Sequence, residues 1–196
     1  MRLSRAEAKQ RTQKSLLDAA ERLIAERGSA VSLEEITEAA GVTTGAVYSG
    51  FGGKRGLVAA LFDRMNSDLL DRVESAISPD FDLRATLVSI AGCWDESDAS
   101  QLLTELRTEL QVMLWSLDDP ALAAELQTSI SRVDVRIRDI LTGRQKASGG
   151  TTTNEEAALL LIHLRALQSH HATATAFQEP IPDLKVTAAG LAKLVE

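Results

Sequence analysis

Apolar residues recur along this chain at helical spacing almost throughout. Near the start, Leu16, Leu17, Ala20, Leu23 and Ile24 form one amphipathic face. Ser4-Arg5-Ala6-Glu7 has the form of a capping box and opens this helix, and Gly28 stops it. Ser32-Leu33-Glu34-Glu35 is a second capping box and starts a short helix to about Ala40, which Gly41 breaks. Thr43 caps a third short helix that ends near Gly50-Phe51-Gly52-Gly53. A long fourth helix runs from about Lys54 to Ile77 on the stripe Leu57, Leu61, Met65, Leu69, Val73 and Ile77, and Pro79 ends it.

Beyond Pro79 the pattern predicts further helices over 83–95 and 101–117. Asp118-Asp119-Pro120 then supplies an Asp cap and a Pro at the first helical position. The helix it opens carries Leu122, Leu126, Ile130, Val133, Ile137, Ile140 and Leu141. After a polar loop over 143–150, Thr153-Asn154-Glu155-Glu156 is a third capping box. The helix that follows, to about Thr175, is apolar on nearly every side, and a last short helix covers Asp183 to Val195. No sustained alternation bounded by hairpin turns predicts a strand. The fold class expected is all-α with about nine helices: an N-terminal three-helix helix-turn-helix domain over 1–56 and a C-terminal helical domain over 57–196, linked by the helix 54–77.

Composition narrows the class. The 196 residues hold 44% hydrophobic and 25% charged residues, which is ordinary for a globular protein. The charged N-terminus lacks the apolar stretch of a secretory signal, and the longest apolar run, Ala157 to Leu164, is too short to span a bilayer. With Cys93 as the single cysteine, no internal disulfide can form, so the expectation is a cytoplasmic protein without a membrane segment. The net charge of −7 is unevenly spread. Residues 1–56 carry nine cations and seven anions, and the remainder carries twelve and twenty-one. A basic stretch, Arg2 to Lys14 with Arg5 and Lys9, therefore sits at the end of an acidic body, as suits a DNA-binding head; a solvated terminus is the alternative.

The informative chemistry lies between residues 32 and 55. A helix-turn-helix needs a Gly at its turn and small or apolar residues where the helices cross. Here Ile36 and Ala40 face inward from the first helix, Gly41 makes the turn, Val42 fills the corner, Val47 faces inward from the second helix, and Thr37 lies near the crossing. Such a unit lays its second helix in the major groove with its N-terminal residues at the base edges. The residues so presented are Thr43, Thr44, Gly45, Tyr48 and Ser49: short hydrogen-bonding groups and one aromatic, suited to phosphates and thymine methyls. A plain helical hairpin with a Gly turn is the competing explanation.

The run Val31-Ser32-Leu33-Glu34-Glu35-Ile36, Ala39-Ala40-Gly41-Val42-Thr43, Gly45-Ala46-Val47-Tyr48, then Phe51 and Lys54, resembles the tetracycline-repressor (TetR) family signature, as does the pattern from Leu16 to Ile24 before it. The resemblance covers roughly residues 10–65. It implies that Thr43, Thr44, Gly45 and Tyr48 touch DNA, that Lys54 and the amides around Gly53 clamp a phosphate, and that the basic N-terminal arm meets the backbone or a minor groove; Ser32 and Ser49 join the candidate DNA contacts. A helix N-terminus is a ready anion site, which supports the phosphate role. Two positions depart from the family pattern. Gly50 stands where His or Asn is common, which removes a polar contact and threatens an early end to the recognition helix. Arg55 stands where an acidic residue is frequent and adds a positive charge.

The resemblance further implies a homodimer through two C-terminal helices, with Leu160, Leu164, Leu167 and Leu191 as candidate interface residues, and a pocket for an unidentified small-molecule effector. Candidate pocket residues are Trp94, Glu105, Arg107, Met113, Trp115 and His163, of which Trp94, Trp115 and His163 are equally readable as core residues. The reading is a repressor that binds a double-stranded, pseudo-palindromic operator and releases it on binding the effector. The alternative is a helical ligand-binding or interaction protein with impaired DNA binding. No nucleophile elbow, phosphate loop or metal spacing argues for an enzyme, a cofactor or a metal site. His170-His171 with His163 lack the one-turn ligand spacing, and Cys93 has no basic neighbour in sequence to activate it.

Overall fold

The computed structural model describes residues 4–95, 99–180 and 182–196, so Arg2 of the basic arm lies outside the described residues. These residues form nine α-helices: α1 (Arg5–Arg27), α2 (Leu33–Ala40), α3 (Thr44–Phe51), α4 (Lys54–Ala76), α5 (Leu83–Asp95), α6 (Ala99–Ser116), α7 (Pro120–Leu141), α8 (Asn154–Phe177) and α9 (Leu184–Leu191). Single 3-10 turns follow α1 and α9. An isolated bridge between Gln145 and Thr151 closes the loop before α8. The all-α class and the helix positions match the apolar period. No described helix is long and apolar enough to cross a membrane.

The helix starts are fixed locally. All three capping boxes form, at Ser4 and Glu7, Ser32 and Glu35, and Thr153 and Glu156. At α7 the Asp119 carboxylate accepts from the amides of Ala121 and Leu122, both at 3.1 Å, and Pro120 takes the first helical position. Each such cap contributes about 1 kcal/mol. Glu35 accepts from the Ser32 amide at 2.8 Å and from the Arg27 guanidinium at 2.6 Å. The Ser32 amide above all, then Arg27 and the Ser32 hydroxyl, hold its carboxyl at about 2.

By contacts the chain forms two compact units, 1–65 with 104–129, and 66–103 with 130–196. The expected boundary at residue 56 falls within the first unit, inside α4. The first unit buries Leu16, Ala20 and Ile24 of α1, Ile36 of α2, Val47 of α3 and Leu57, Val58 and Leu61 of α4. Arg64 joins α4 to α1 by donating to Asp18 and Glu21, each at 2.7 Å.

The second unit packs α5 on α9 and α8 around Leu83, Leu87, Ile90, Trp94, Ile137, Leu160 and Leu164. Arg144 ties the turn after α4, since its guanidinium donates to the carbonyls of Ser78, Pro79 and Phe81 at 2.9, 3.1 and 3.1 Å. Cys93 is buried and donates to the Ser89 carbonyl at 3.3 Å, as an inert structural thiol would. The expectation for α8 needs a correction. Leu160 and Leu164, expected at a dimer interface, are 0% and 2% exposed inside this chain's own core, where a second copy has no access to them. Leu167 and Leu191 are half-buried against the same core. The apolar side chains that α8 turns outward are Leu159, Ile162 and Phe177.

Two glycines flanking the α3–α4 junction make opposite demands. A Cβ on Gly56 would lie 1.9 Å from the Phe51 carbonyl oxygen, a rigid backbone atom. A Cβ on Gly50 would meet nothing nearer than 3.9 Å, and Gly50 is helical without a positive φ. Gly56→Ala is therefore expected to cost about 2 kcal/mol or more. Gly50→Ala should stabilise by about 0.5–1 kcal/mol. Denaturant melts of both variants check the pair.

Acid titration checks the Glu35 cap. Its carboxyl is lowered from 4.5 to about 2 in the folded chain, so its contribution is complete above pH 4.5 and fades as pH falls towards 2. Glu35→Gln should lower stability at neutral pH and narrow its gap to wild type across that acid window. A gap that stays constant down to pH 2 contradicts this assignment.

Candidate nucleic-acid interface

The helix-turn-helix is built by α2 and α3. The N–H of Gly41, the residue after α2, bonds the Glu38 carbonyl at 3.0 Å, and its φ of 67° is left-handed, as the turn requires. The Val42 amide bonds the Thr37 carbonyl at 3.0 Å, and Thr37 is itself buried at the crossing, with its hydroxyl on the Glu34 carbonyl at 3.0 Å. Ile36 and Val47 are both 0% exposed, facing inward as the sequence indicated. α3 does not end early at Gly50, because its helical hydrogen bonding continues through Phe51 and the Gly52 amide closes it on the Tyr48 carbonyl at 3.1 Å.

The candidate DNA contacts divide by what their side chains already do. Thr43 is exposed and its hydroxyl makes no capping bond, so the first amides of α3 are left without a side-chain acceptor. Thr44 is half-buried and Gly45 exposed. Tyr48 is 62% exposed, an unusual position for the chain's single tyrosine, and its ring edge passes 3.6 Å from where a Gly53 Cβ would be. Ser49 is exposed, with its hydroxyl donating to the Ala46 carbonyl at 3.1 Å. Ser32 is occupied by its capping box. Arg5 and Lys9 are exposed one turn apart on α1. The basic stretch is thus helical from Arg5 rather than an extended arm, and a helix is too wide to follow a minor groove.

Lys54 opens α4 immediately after the α3 junction. Its ammonium donates to the Ser29 carbonyl at 3.0 Å and lies 4.5 Å from the centroid of the Trp115 ring. Burial lowers its pKa, opposed by the carboxylates of Glu35 and Glu34. Arg55 pairs with Glu125 at 3.5 Å, with both side chains about half exposed, so part of its added charge is balanced by α7.

Sequence reasoning missed the face of α6 that meets the head. Thr108 donates to the Glu21 carbonyl at 3.3 Å, Gln111 lies against Gly28, and Trp115 covers Lys54. The spacing 108, 111, 115 is one helical face, which was available as a signal, but its partners are long-range and were not.

The candidate effector residues are not gathered in either unit. Trp94 and His163 belong to the second unit, and Glu105, Arg107, Met113 and Trp115 to the first. Trp94 is 5% exposed, with an indole N–H that has no hydrogen-bond partner. Arg107 and Met113 are exposed, and His163 is half-buried with Nδ1 2.8 Å from the Leu159 carbonyl. Among the described residues no cluster of His, Cys, Asp or Glu could hold a metal ion.

Comparison with known proteins agrees with this geometry. Residues 16–61 match the model of the bacterial regulatory proteins of the tetR family. The uncharacterized HTH-type transcriptional regulator YvkB of Bacillus subtilis (strain 168) is 28% identical over 142 residues, covering 70% of this chain and 68% of YvkB. A TetR family transcription regulator from Marinobacter aquaeolei VT8 superposes with a TM-score of 0.63 at 17% identity, over 95% of this chain and 96% of that one. The transcriptional regulator FadR from Bacillus subtilis, in complex with stearoyl-CoA, superposes with a TM-score of 0.70 at 18% identity, over 92% and 96%. Residues 16–61 therefore form a tetR-family helix-turn-helix domain, and the chain that carries it shares the fold of TetR-family regulator structures over nearly its whole length.

Proposed function

We propose that this regulator is a repressor that binds a pseudo-palindromic operator as a homodimer and leaves it when a small molecule binds. The observation that carries the reading is the exposed start of α3. There Thr43, Gly45 and Tyr48 face solvent, no side chain caps the first amides, and Lys54 stands at the start of the next helix. Short side chains and a glycine let the helix approach base edges closely. Tyr48 supplies an aromatic contact, and the first turns of α3 and α4 supply amides for phosphates. Arg5 and Lys9, held on α1, reach the phosphate backbone rather than a groove floor.

Dimerisation is supported by apolar surface that the chain leaves uncovered. Leu159, Ile162 and Phe177 of α8 are 41%, 65% and 73% exposed, and Val186 of α9 is 69% exposed. These residues replace Leu160 and Leu164 as the interface candidates, alongside the half-buried Leu167 and Leu191. A two-fold dimer matches the symmetry of a palindromic site. In this reading residues 1–56 bind DNA, residues 57–196 dimerise and take the effector, and α4 links the two. The effector role draws support from FadR, a structural neighbour that is in complex with stearoyl-CoA. The effector acts only by preferring a state with lower operator affinity, so it and the operator must weaken each other's binding by the same factor.

Four outcomes test the reading. Salt-dependent titration should show steep binding to an operator and weaker binding to mixed-sequence DNA. Lys54→Ala should weaken both and reduce the salt slope by about 1 per subunit. Tyr48→Ala should cost more on the operator than on mixed sequence; equal losses would remove Tyr48 from sequence recognition. Ile162→Glu should shift the chain from dimer to monomer in sedimentation, because a charge buried in that face without a partner opposes association. An unchanged dimer would place the interface elsewhere.

A further inference from the structure

The contact between Lys54 and Trp115 bears directly on DNA binding. An ammonium has three donors and one charge to share. In this structure Lys54 spends one donor on the Ser29 carbonyl at 3.0 Å and presents its charge to the indole ring at 4.5 Å. Both partners belong to the protein. Ser29 sits in the 3-10 turn between α1 and α2, and Trp115 sits near the end of α6. The placement is supported along α6, where Thr108 bonds the Glu21 carbonyl and Gln111 abuts Gly28. Val112, 0% exposed, fills the same side. Trp115 is thus held in position by one and two turns of docked helix.

We propose that Trp115 competes with DNA phosphate for the Lys54 ammonium, holding it on the protein when no DNA is bound and yielding it when a phosphate settles at the start of α4. The proposal rests on the reading of Lys54 as a phosphate contact and adds a residue, on a helix outside residues 1–56, that tunes it. Cation and ring attract through the ring quadrupole, and a phosphate offers the same cation a full negative charge. The phosphate wins, but its gain is reduced by the contact it breaks. Trp115 acts here as a positioning residue that touches no DNA itself. Because it rides on α6, a shift of α6 along the head changes how much of the Lys54 charge is available.

Phosphate contacts do not need the operator, so the probe is a short duplex of mixed sequence at low salt. Trp115→Leu keeps apolar bulk and removes the ring quadrupole. It should bind the duplex about three- to tenfold more tightly than wild type. Trp115→Phe should fall between the two. In a Lys54→Ala background, Trp115→Leu should change nothing, an outcome that a general packing role for Trp115 would not give. Fluorescence gives an independent readout. Adding the duplex should change the emission of wild type beyond that of Trp115→Phe, and the difference should vanish in Lys54→Ala. Should Trp115→Leu fail to fold by circular dichroism, Trp115→Phe and the fluorescence difference decide the question. Equal or weaker binding by the folded Trp115 variants, or the same gain without Lys54, overturns the competition. Binding by wild type that is indifferent to Lys54→Ala removes the phosphate contact itself. No binding of either mixed-sequence or operator DNA by wild type removes the proposed function along with it.

Discussion

The close approach of α3 to α4 is the constraint on which the DNA-binding surface depends. The Phe51 carbonyl occupies the space that a Cβ on residue 56 would need, so the end of α3 can approach the first turn of α4 this closely only with glycine there. Gly52, with a φ of 76°, turns the chain out of α3 in two residues. The result sets the exposed residues of α3 beside the N-terminus of α4, with Tyr48 lying along the backbone of Gly53. The exposed face of α3, proposed to read DNA, and the start of α4, proposed to hold a phosphate, are thereby set side by side. Arg64, bonded to Asp18 and Glu21, ties the continuation of α4 to α1.

Much of this was legible in the sequence because it is decided within four residues. The capping boxes at Ser4, Ser32 and Thr153 and the Asp119-Pro120 start each set a helix end through bonds between near neighbours. Gly41 marks the turn for the same reason. The face of a helix is harder when the helix is apolar all round. Leu160 and Ile162 are equally apolar, yet one is in the core and the other 65% exposed, and only the packing of α5 and α9 decides which. Contacts between distant segments were not legible at all. Nothing near Arg144 in sequence indicates that it bonds the carbonyls of residues 78–81, and nothing near Lys54 indicates Trp115.

The same division separates the two proposed functions. DNA recognition draws on a compact motif whose residues are close in sequence, and the tetR-family match falls on that motif, residues 16–61. Effector recognition would draw on residues spread over α5 to α8, where the sequence offers only isolated handles such as Trp94, whose buried indole N–H lacks a partner. The face of α6 at residues 108, 111 and 115 belongs to neither set alone. It touches the head through Glu21, Gly28 and Lys54, and so gives a helix outside the recognition motif a direct hold on it.

In the proposed function, two copies of this head read one two-fold site. The most direct measurement selects genomic fragments of the source organism with the purified protein and footprints the retained DNA with hydroxyl radicals. Two protected patches related by a two-fold axis are expected, with half-sites one helical turn apart or a multiple of it, about 10 base pairs per turn. A single unpaired patch, or no protection on any retained fragment, would contradict it.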